Sequence, residues 1–273
     1  MSILAETNIF ISDLHLGDGS KADDFIRKNE FLHFLDSIEK ESTRLFIVGD
    51  LFELWQADLD RAVFHHSEVI KRLFNLASRN RLVYIIGNHD HIPFVKYLDP
   101  KLSIYLEFID KELGLRVEHG NQYDIFNRYQ DPRMALRNVW GRRASYLIGW
   151  LERIVHPDID EWGRRNLIRK GGLFLEKAAY INNKLTPSSK EYFERGGGLL
   201  EFEEAARKHI NSGMRIVIFG HTHKAVLTKM GSGIYANCGC WCGSDEPTYI
   251  RLTDSKIELL NGIDHKLINS LEL

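Results

Sequence analysis

Five short apolar runs in this chain each end in a cluster of histidine, aspartate or asparagine. The runs cover residues 8–12, 45–48, 82–86, 115–118 and 215–219. They lead into Asp13-Leu14-His15, Gly49-Asp50, Gly87-Asn88-His89-Asp90, His119-Gly120 and Gly220-His221-Thr222-His223. Short continuous apolar runs read as buried strands. Five such strands deliver imidazoles, carboxylates and one amide to a single rim, which is how a metal site is assembled from distant positions. The donors are oxygen and nitrogen, a set that suits manganese, with iron or zinc as alternatives.

The strands alternate with helical periodicity over the first hundred residues, which argues an α/β fold. Phe31, Phe34, Leu35 and Ile38 fall at helical spacing, as do Ile70, Leu73, Phe74 and Ala77. After His223 the pattern changes: 233–237, 248–252 and 256–260 read as strands of a meander. With 273 residues, 44% of them hydrophobic, the chain can bury a sizeable core. A net charge of −2 gives no global attraction to nucleic acid, so no stable nucleic-acid partner is expected. Three cysteines make no disulfide framework. No basic segment followed by an apolar core opens the chain. A cytoplasmic location is the expectation, and the sequence leaves the oligomeric state open.

In order and spelling, the five clusters resemble the calcineurin-like metallophosphoesterase superfamily, whose pattern reads D-x-H, G-D, G-N-H-[DE], H-G and G-H-x-H. The resemblance runs from residue 13 to 223 with every ligand position filled. It implies a β-sandwich flanked by helices and two divalent metal ions. Carried over position by position, Asp13, His15 and His223 hold one ion, Asn88, His119 and His221 hold the other, and Asp50 bridges. Two ions roughly 3.5–4 Å apart can polarise a phosphoryl oxygen, acidify a water and steady the leaving oxygen. His89, with Asp50, is then the catalytic candidate. In the superfamily this histidine protonates the leaving oxygen or stabilises its charge, with Asp58 or Asp90 as candidates to orient it.

About a hundred residues separate His119 from Gly220. Between Arg128 and Lys170 lie nine arginines and one lysine against five acids, interleaved with Tyr129, Trp140, Tyr146, Trp150 and Trp162. Leu136, Val139, Leu147, Leu151 and Ile154 add amphipathic helical spacing, and Gly171-Gly172 and Gly196-Gly197-Gly198 punctuate the stretch. The organisation expected is a core of 1–123 and 213–273 carrying a helical cap insertion at 124–212. Three readings of the insertion stay open: a solvated helix face packing its aromatics inward, a phosphate-and-acyl-chain surface, or a nucleic-acid surface. The second would allow peripheral contact with the inner membrane.

A closer resemblance bears on that choice. Asp13-Leu14-His15-Leu16, Gly49-Asp50-Leu51-Phe52-Glu53-Leu54-Trp55 and the basic-aromatic insertion are similar to the UDP-2,3-diacylglucosamine pyrophosphohydrolase family of lipid A synthesis. It implies a nucleotide-lipid diphosphate substrate, with Asn121, Asp124, Arg128, Arg137 and Trp150 as substrate-binding candidates. Two positions depart from that family: His89 stands where G-N-R-D is usual, and Asn121 replaces the aspartate of H-G-D. An alkoxide leaving group needs a proton and a phosphate does not, so His89 favours phosphomonoester or phosphodiester cleavage. The alternatives are a general phosphodiesterase, nuclease or protein phosphatase, and, outside enzymes, a binding scaffold.

The remaining candidates read as structural. His65 and His66 are expected to be exposed, with a rim contact to substrate as the alternative, His91 to support its neighbours, and His33, His156, His209 and His265, with no acidic or histidine residue at useful spacing, to be structural or solvated. Cys238, Cys240 and Cys242 would share one face of a strand; three thiols fall short of the four ligands of a structural zinc, so the stretch reads as a buried strand of small residues near the site. Asn237-Cys238-Gly239 matches the N-x-G turn that often follows G-H-x-H in the superfamily.

Overall fold

The computed structural model describes residues 7–21, 23–39, 43–90, 102, 104–124 and 199–273. Along the chain these form β1 (Thr7–Ile11), α1 (Lys28–Glu39), β2 (Thr43–Val48), α2 (Leu59–His65), α3 (Ser67–Ser78), β3 (Leu82–Ile85), β4 (Ile104–Tyr105), β5 (Glu107–Asp110) and β6 (Leu115–Glu118). There follow α4 (Leu199–Asn211), β7 (Ile216–Phe219), β8 (Val226–Met230), β9 (Gly233–Asn237), β10 (Thr248–Leu252), β11 (Lys256–Asn261) and β12 (Leu267–Glu272).

Two sheets result. The first has seven strands in the order β12-β11-β10-β1-β2-β3-β4, parallel from β1 to β4 and antiparallel from β1 through β10 to β12. Parallel neighbours need a crossover. The α1 helix supplies it between β1 and β2, and α2 and α3 supply it between β2 and β3. The second sheet has five strands, β5-β6-β7-β9-β8, with β6, β7 and β9 parallel.

Side-chain alternation explains the layering. In β1, β2 and β3, residues Ile9, Ile11, Leu45, Ile47, Leu82 and Tyr84 meet the apolar faces of α1 and α3. The intervening Phe10, Phe46, Val48, Val83 and Ile85 face the second sheet, where Val117, Ile216, Ile218, Ile234 and Ala236 receive them. The next register, Val217, Phe219 and Tyr235, packs on Phe202, Ala205, Ala206 and Ile210 of α4. The order of layers is helices, sheet, sheet, helix, which is the expected sandwich.

The meander expected after His223 is divided between the sheets. β8 and β9 pair in the second, and the chain then crosses to build β10, β11 and β12 on the first. Most of the expected cap, 125–198, lies outside the described residues. Its last part behaves otherwise than expected: α4 packs on the second sheet with Phe202, Ala206 and Ile210 buried. Its apolar stripe at 202, 206 and 210 serves the sandwich.

Phe202 carries that contact. Truncating a buried phenylalanine costs about 3–5 kcal/mol, so Phe202→Ala should lower the urea-unfolding free energy by that order. Leu200→Ala, on the solvent side of the same helix, should change it by about 0.5 kcal/mol or less. Equal small effects for both would contradict the packing of α4 described above.

Candidate metal centre

The strand ends turn in an unusual way. Asp13 (φ 55°), His15 (52°), Asp50 (50°), His221 (67°) and His223 (56°) all lie in the left-handed region. Each non-glycine residue held there costs of order 1–3 kcal/mol, and such strain collects at functional sites. Here it turns consecutive side chains of a strand end toward one point.

The motif glycines make room for those side chains. A Cβ on Gly49 would lie 2.1 Å from the His119 ring, and one on Gly87 would lie 2.0 Å from Asp50 Oδ1. A Cβ on Gly220 would collide with Ser12 Oγ at 2.0 Å and the Val48 carbonyl at 2.7 Å. The glycines in G-D, G-N-H and G-H-x-H are therefore steric requirements of the neighbouring clusters.

Backbone donors fix one oxygen of each central carboxylate and leave the other facing inward. Asp13 Oδ2 accepts from the His221 N–H at 2.9 Å and from the Ser12 hydroxyl. Its Oδ1 faces His15 Nε2 at 3.6 Å and His223 Nε2 at 3.2 Å. Asp50 Oδ1 accepts from the His89 N–H at 2.8 Å. Its Oδ2 lies 3.1 Å from His119 Nε2 and 3.8 Å from His15 Nε2. His119 Nδ1 donates to the Val48 carbonyl at 2.8 Å, which directs Nε2 inward toward Asn88 Oδ1 at 3.2 Å and His221 Nδ1 at 3.2 Å.

Two donor groups thus form on either side of Asp50. Asp13, His15 and Asp50 bring one donor atom each within 4.8 Å of the others, and so do Asp50, His119 and His221. Asp13 Oδ1 and His15 Nε2 are buried with no hydrogen-bond partner. Buried polar atoms are nearly always satisfied in native proteins. A divalent cation contacting both would satisfy them, so these residues fit the ions that the motif pattern implies.

Glu53 was not singled out as a site residue by sequence, yet it organises half the site. Its Oε2 lies 2.8 Å from His15 Nδ1 and its Oε1 lies 2.9 Å from His89 Nδ1. One carboxylate therefore orients both rings. Trp55 stacks on His89 with ring centroids 4.0 Å apart, and its indole N–H donates to the Asn88 carbonyl at 2.9 Å. The two residues first considered for orienting His89 do other work. The Asp58 side chain is exposed near Arg61. Asp90 accepts from the Phe52 and Gly87 N–H groups.

Asp124 was expected at the substrate. Its carboxylate lies 3.0 Å from His221 Nε2, where it orients the ring whose Nδ1 faces His119. Asn121 is half-buried in the turn after Gly120. Arg128, Arg137, Trp150, His91 and His156 lie outside the described residues. His66 differs from expectation: it is buried against Asp23 at 2.9 Å. His209 meets Glu118 and Tyr123, and His265 meets Tyr249. The expected N-x-G turn holds Asn237 Nδ2 on the Gly220 carbonyl at 2.7 Å. The cysteines, however, follow the end of β9 in a loop and share no strand face. All three are buried, and Cys242 Sγ lies 3.7 Å from His223 Nδ1.

Electrostatics follow from this geometry. Burial alone pushes Asp13 and Asp50 upward, but the imidazoles around them reverse it and hold both well below the usual carboxylate range. Burial likewise opposes ionisation of Glu53, yet His89 and His15 bring it down to about 2. Asp90, buried and beside Asp50, is pushed up to about 6. The histidines respond in kind. Burial disfavours their charged form, but Asp50 raises His119 to about 9 and Asp13 raises His223 to about 10. The carboxylates draw positive charge to the centre, which is the field a divalent cation requires.

Their raised pKa means that His119 and His223 hold their protons at pH 7 without an ion, whereas burial lowers the pKa of His221; a metal ligand must be neutral. Binding of Mn2+ at pH 7 should therefore release protons, and apparent affinity should rise with pH through about 10, where His223 is half-deprotonated. Calorimetry in two buffers of different ionisation enthalpy reads the release directly. Identical heats in both at pH 7 would contradict the assignment.

The sequence profile of the calcineurin-like phosphoesterases matches residues 8–225. A UDP-2,3-diacylglucosamine hydrolase of Psychromonas ingrahamii is 34% identical, covering 92% of this chain and 96% of the relative. One from Shewanella baltica is 35% identical, covering 82% and 85%. Among solved structures, the Escherichia coli phosphoesterase Yfce is similar with a TM-score of 0.46 and 13% identity, covering 97% of this chain and 98% of that one. With its profile match across all five clusters, the chain belongs to the calcineurin-like phosphoesterase family and is a phosphoesterase.

Proposed function

We propose that this phosphoesterase uses two divalent ions and cleaves the diphosphate of a nucleotide-lipid such as UDP-2,3-diacylglucosamine. The observation that carries the dinuclear part is the position of Asp50 Oδ2, between His15 on one side and His119 on the other. Asp13, His15 and His223 would hold the first ion, Asn88, His119 and His221 the second, and Asp50 both. When bound, such ions polarise a phosphoryl oxygen and lower the pKa of an attacking water. The oxygen and nitrogen donors favour manganese, with iron or zinc as alternatives.

The chain's own residues do the rest. Glu53 accepts from Nδ1 of His89, which leaves Nε2 to carry the transferable proton. Trp55 stacked on the ring keeps it from rotating away. Where the leaving group is an alkoxide, Nε2 donates that proton as the bond to phosphorus breaks. Where it is a phosphate, the imidazolium offsets the growing negative charge without giving its proton up. Asp124 keeps His221 in the tautomer whose Nδ1 faces the centre.

The substrate reading rests on the relatives at 34–36% identity, which are UDP-2,3-diacylglucosamine hydrolases. The basic-aromatic stretch 128–170, with Arg128, Arg137 and Trp150, supplies phosphate-pairing and apolar groups of the right chemistry. Asn121 precedes it in the chain. No helix among the described residues is long and apolar enough to cross a membrane. A cytoplasmic protein touching the inner membrane through this stretch fits such a substrate. The histidine at 89 favours a second reading, a phosphodiesterase acting on esters with alkoxide leaving groups.

A substrate panel separates the two. UDP-diacylglucosamine, a nitrophenyl diester and an alkyl phosphodiester are offered to the wild-type chain and to His89→Ala with added manganese. The proposal expects the nucleotide-lipid to give the highest kcat/KM. General acids contribute about 10²–10⁴-fold, so His89→Ala should lower kcat by that range on the alkyl ester and much less on the nitrophenyl ester. Highest kcat/KM on the alkyl diester would favour the second reading. A uniform loss on all three would remove His89 from the role of acid.

A further inference from the structure

The loop that follows β9 brings a sulfur atom to the edge of the proposed first ion position. Donor atoms of Cys242, His15 and His223 all lie within 4.8 Å of one another. Donors sharing one tetrahedral ion, with bonds of about 2.0–2.3 Å, stand roughly 3.3–3.8 Å apart. The Cys242–His223 separation, 3.7 Å, already has that value, and His15 lies close enough to complete the group after a shift of about an ångström. The other two cysteines are placed differently. Cys238 is packed in the sandwich core with Phe10 and Ile250. Cys240 directs its thiol to the Cys242 carbonyl at 3.6 Å and also meets the His223 ring, but it shares no donor group with His15.

The position of Cys242 is fixed from both sides. Its predecessor Trp241 donates its backbone N–H to the carbonyl of Asp13 at 3.0 Å. The Trp241 ring is fully buried, 4.9 Å from both Phe31 and Phe34. Its successor Gly243 donates to the Asp24 carbonyl at 2.8 Å. The thiol is thus anchored to the backbone of Asp13, whose side chain faces His15 and His223. A half-exposed His223 ring leaves that side of the site adjustable, its side chain being 40% accessible.

We propose that Cys242 is a ligand of the first ion, giving that position a mixed nitrogen, oxygen and sulfur donor set that selects a thiophilic divalent cation. The inference rests on the dinuclear reading above and deepens it. Binding replaces the thiol proton by the metal, and the proton leaves to solvent. Oxygen and nitrogen donors alone would suit manganese at both positions. A sulfur at one of them shifts that position toward zinc or iron and away from manganese, so the two positions differ in metal preference.

Cadmium tests this without reference to activity, because a cadmium–thiolate bond absorbs in the ultraviolet by charge transfer and cadmium bound to nitrogen and oxygen does not. The full chain, freed of metal by chelation, is titrated with cadmium chloride, and bound cadmium is counted by elemental analysis. Circular dichroism confirms the fold of each variant. The expected result is a charge-transfer band in the wild-type chain that survives in Cys238→Ser and Cys240→Ser and disappears in Cys242→Ser. Bound cadmium with no band would overturn the proposal while leaving the metal centre standing, with Cys242 a hydrogen-bond partner of His223 only. A band that survives in Cys242→Ser would overturn it as well. No bound cadmium in the wild-type chain would overturn both the proposal and the metal centre beneath it.

Discussion

Asp13 and Asp50 bring two buried carboxylates to adjacent strand ends, with no more than 1% of either residue exposed. Burying such charges is costly unless positive charge and hydrogen bonds offset it. The surrounding rim supplies that offset. Backbone N–H groups of His89 and His221 hold one oxygen of each. Imidazoles from both sheets face the other oxygens, and Glu53, Asp124 and the Val48 carbonyl hold those imidazoles in turn. Left-handed backbone at five of these residues is the conformational cost of bringing so many polar groups to one point, and the sandwich core beneath is what sustains it.

That arrangement links fold to chemistry directly. The parallel strands β1, β2 and β3 deliver Asp13, Asp50 and Asn88, and β6 and β7 of the second sheet deliver His119 and His221. The site exists only where the sheets meet. The bonds that cross between them, His119 Nδ1 to Val48 and His221 N–H to Asp13, are themselves part of the rim. The first sheet alone carries Asp13, His15 and Asp50, and the second sheet is needed to add His119, His221 and His223.

Much of this was legible in the sequence, for identifiable reasons. The five clusters stood out because strands that deliver ligands must stop abruptly, and the glycines beside Asp50, Asn88 and His221 mark where. The sandwich was legible only through family likeness. β1, β2, β3 and β7 are buried on both faces, and a run of continuous apolar residues looks the same in one open sheet as in two facing ones. The α4 helix was assigned to the insertion because it follows a glycine-rich stretch, although its stripe Phe202, Ala206, Ile210 has the spacing of a core helix. Edge strands β4 and β5 carry too few apolar residues to register. Glu53 was quoted within a motif but not recognised, because its role depends on two histidines 38 residues upstream and 36 residues downstream. Its position three residues after Asp50, in a loop that turns back on the rim, was the available signal.

The central claim is that Asp50 stands between two metal ions. Anomalous diffraction from crystals of the full chain grown with manganese tests it most directly. The account predicts two peaks roughly 3.5–4 Å apart, with Asp50 Oδ2 in contact with both and Asp13 and Asn88 on opposite sides. A single peak, or two peaks of which Asp50 touches only one, would contradict it.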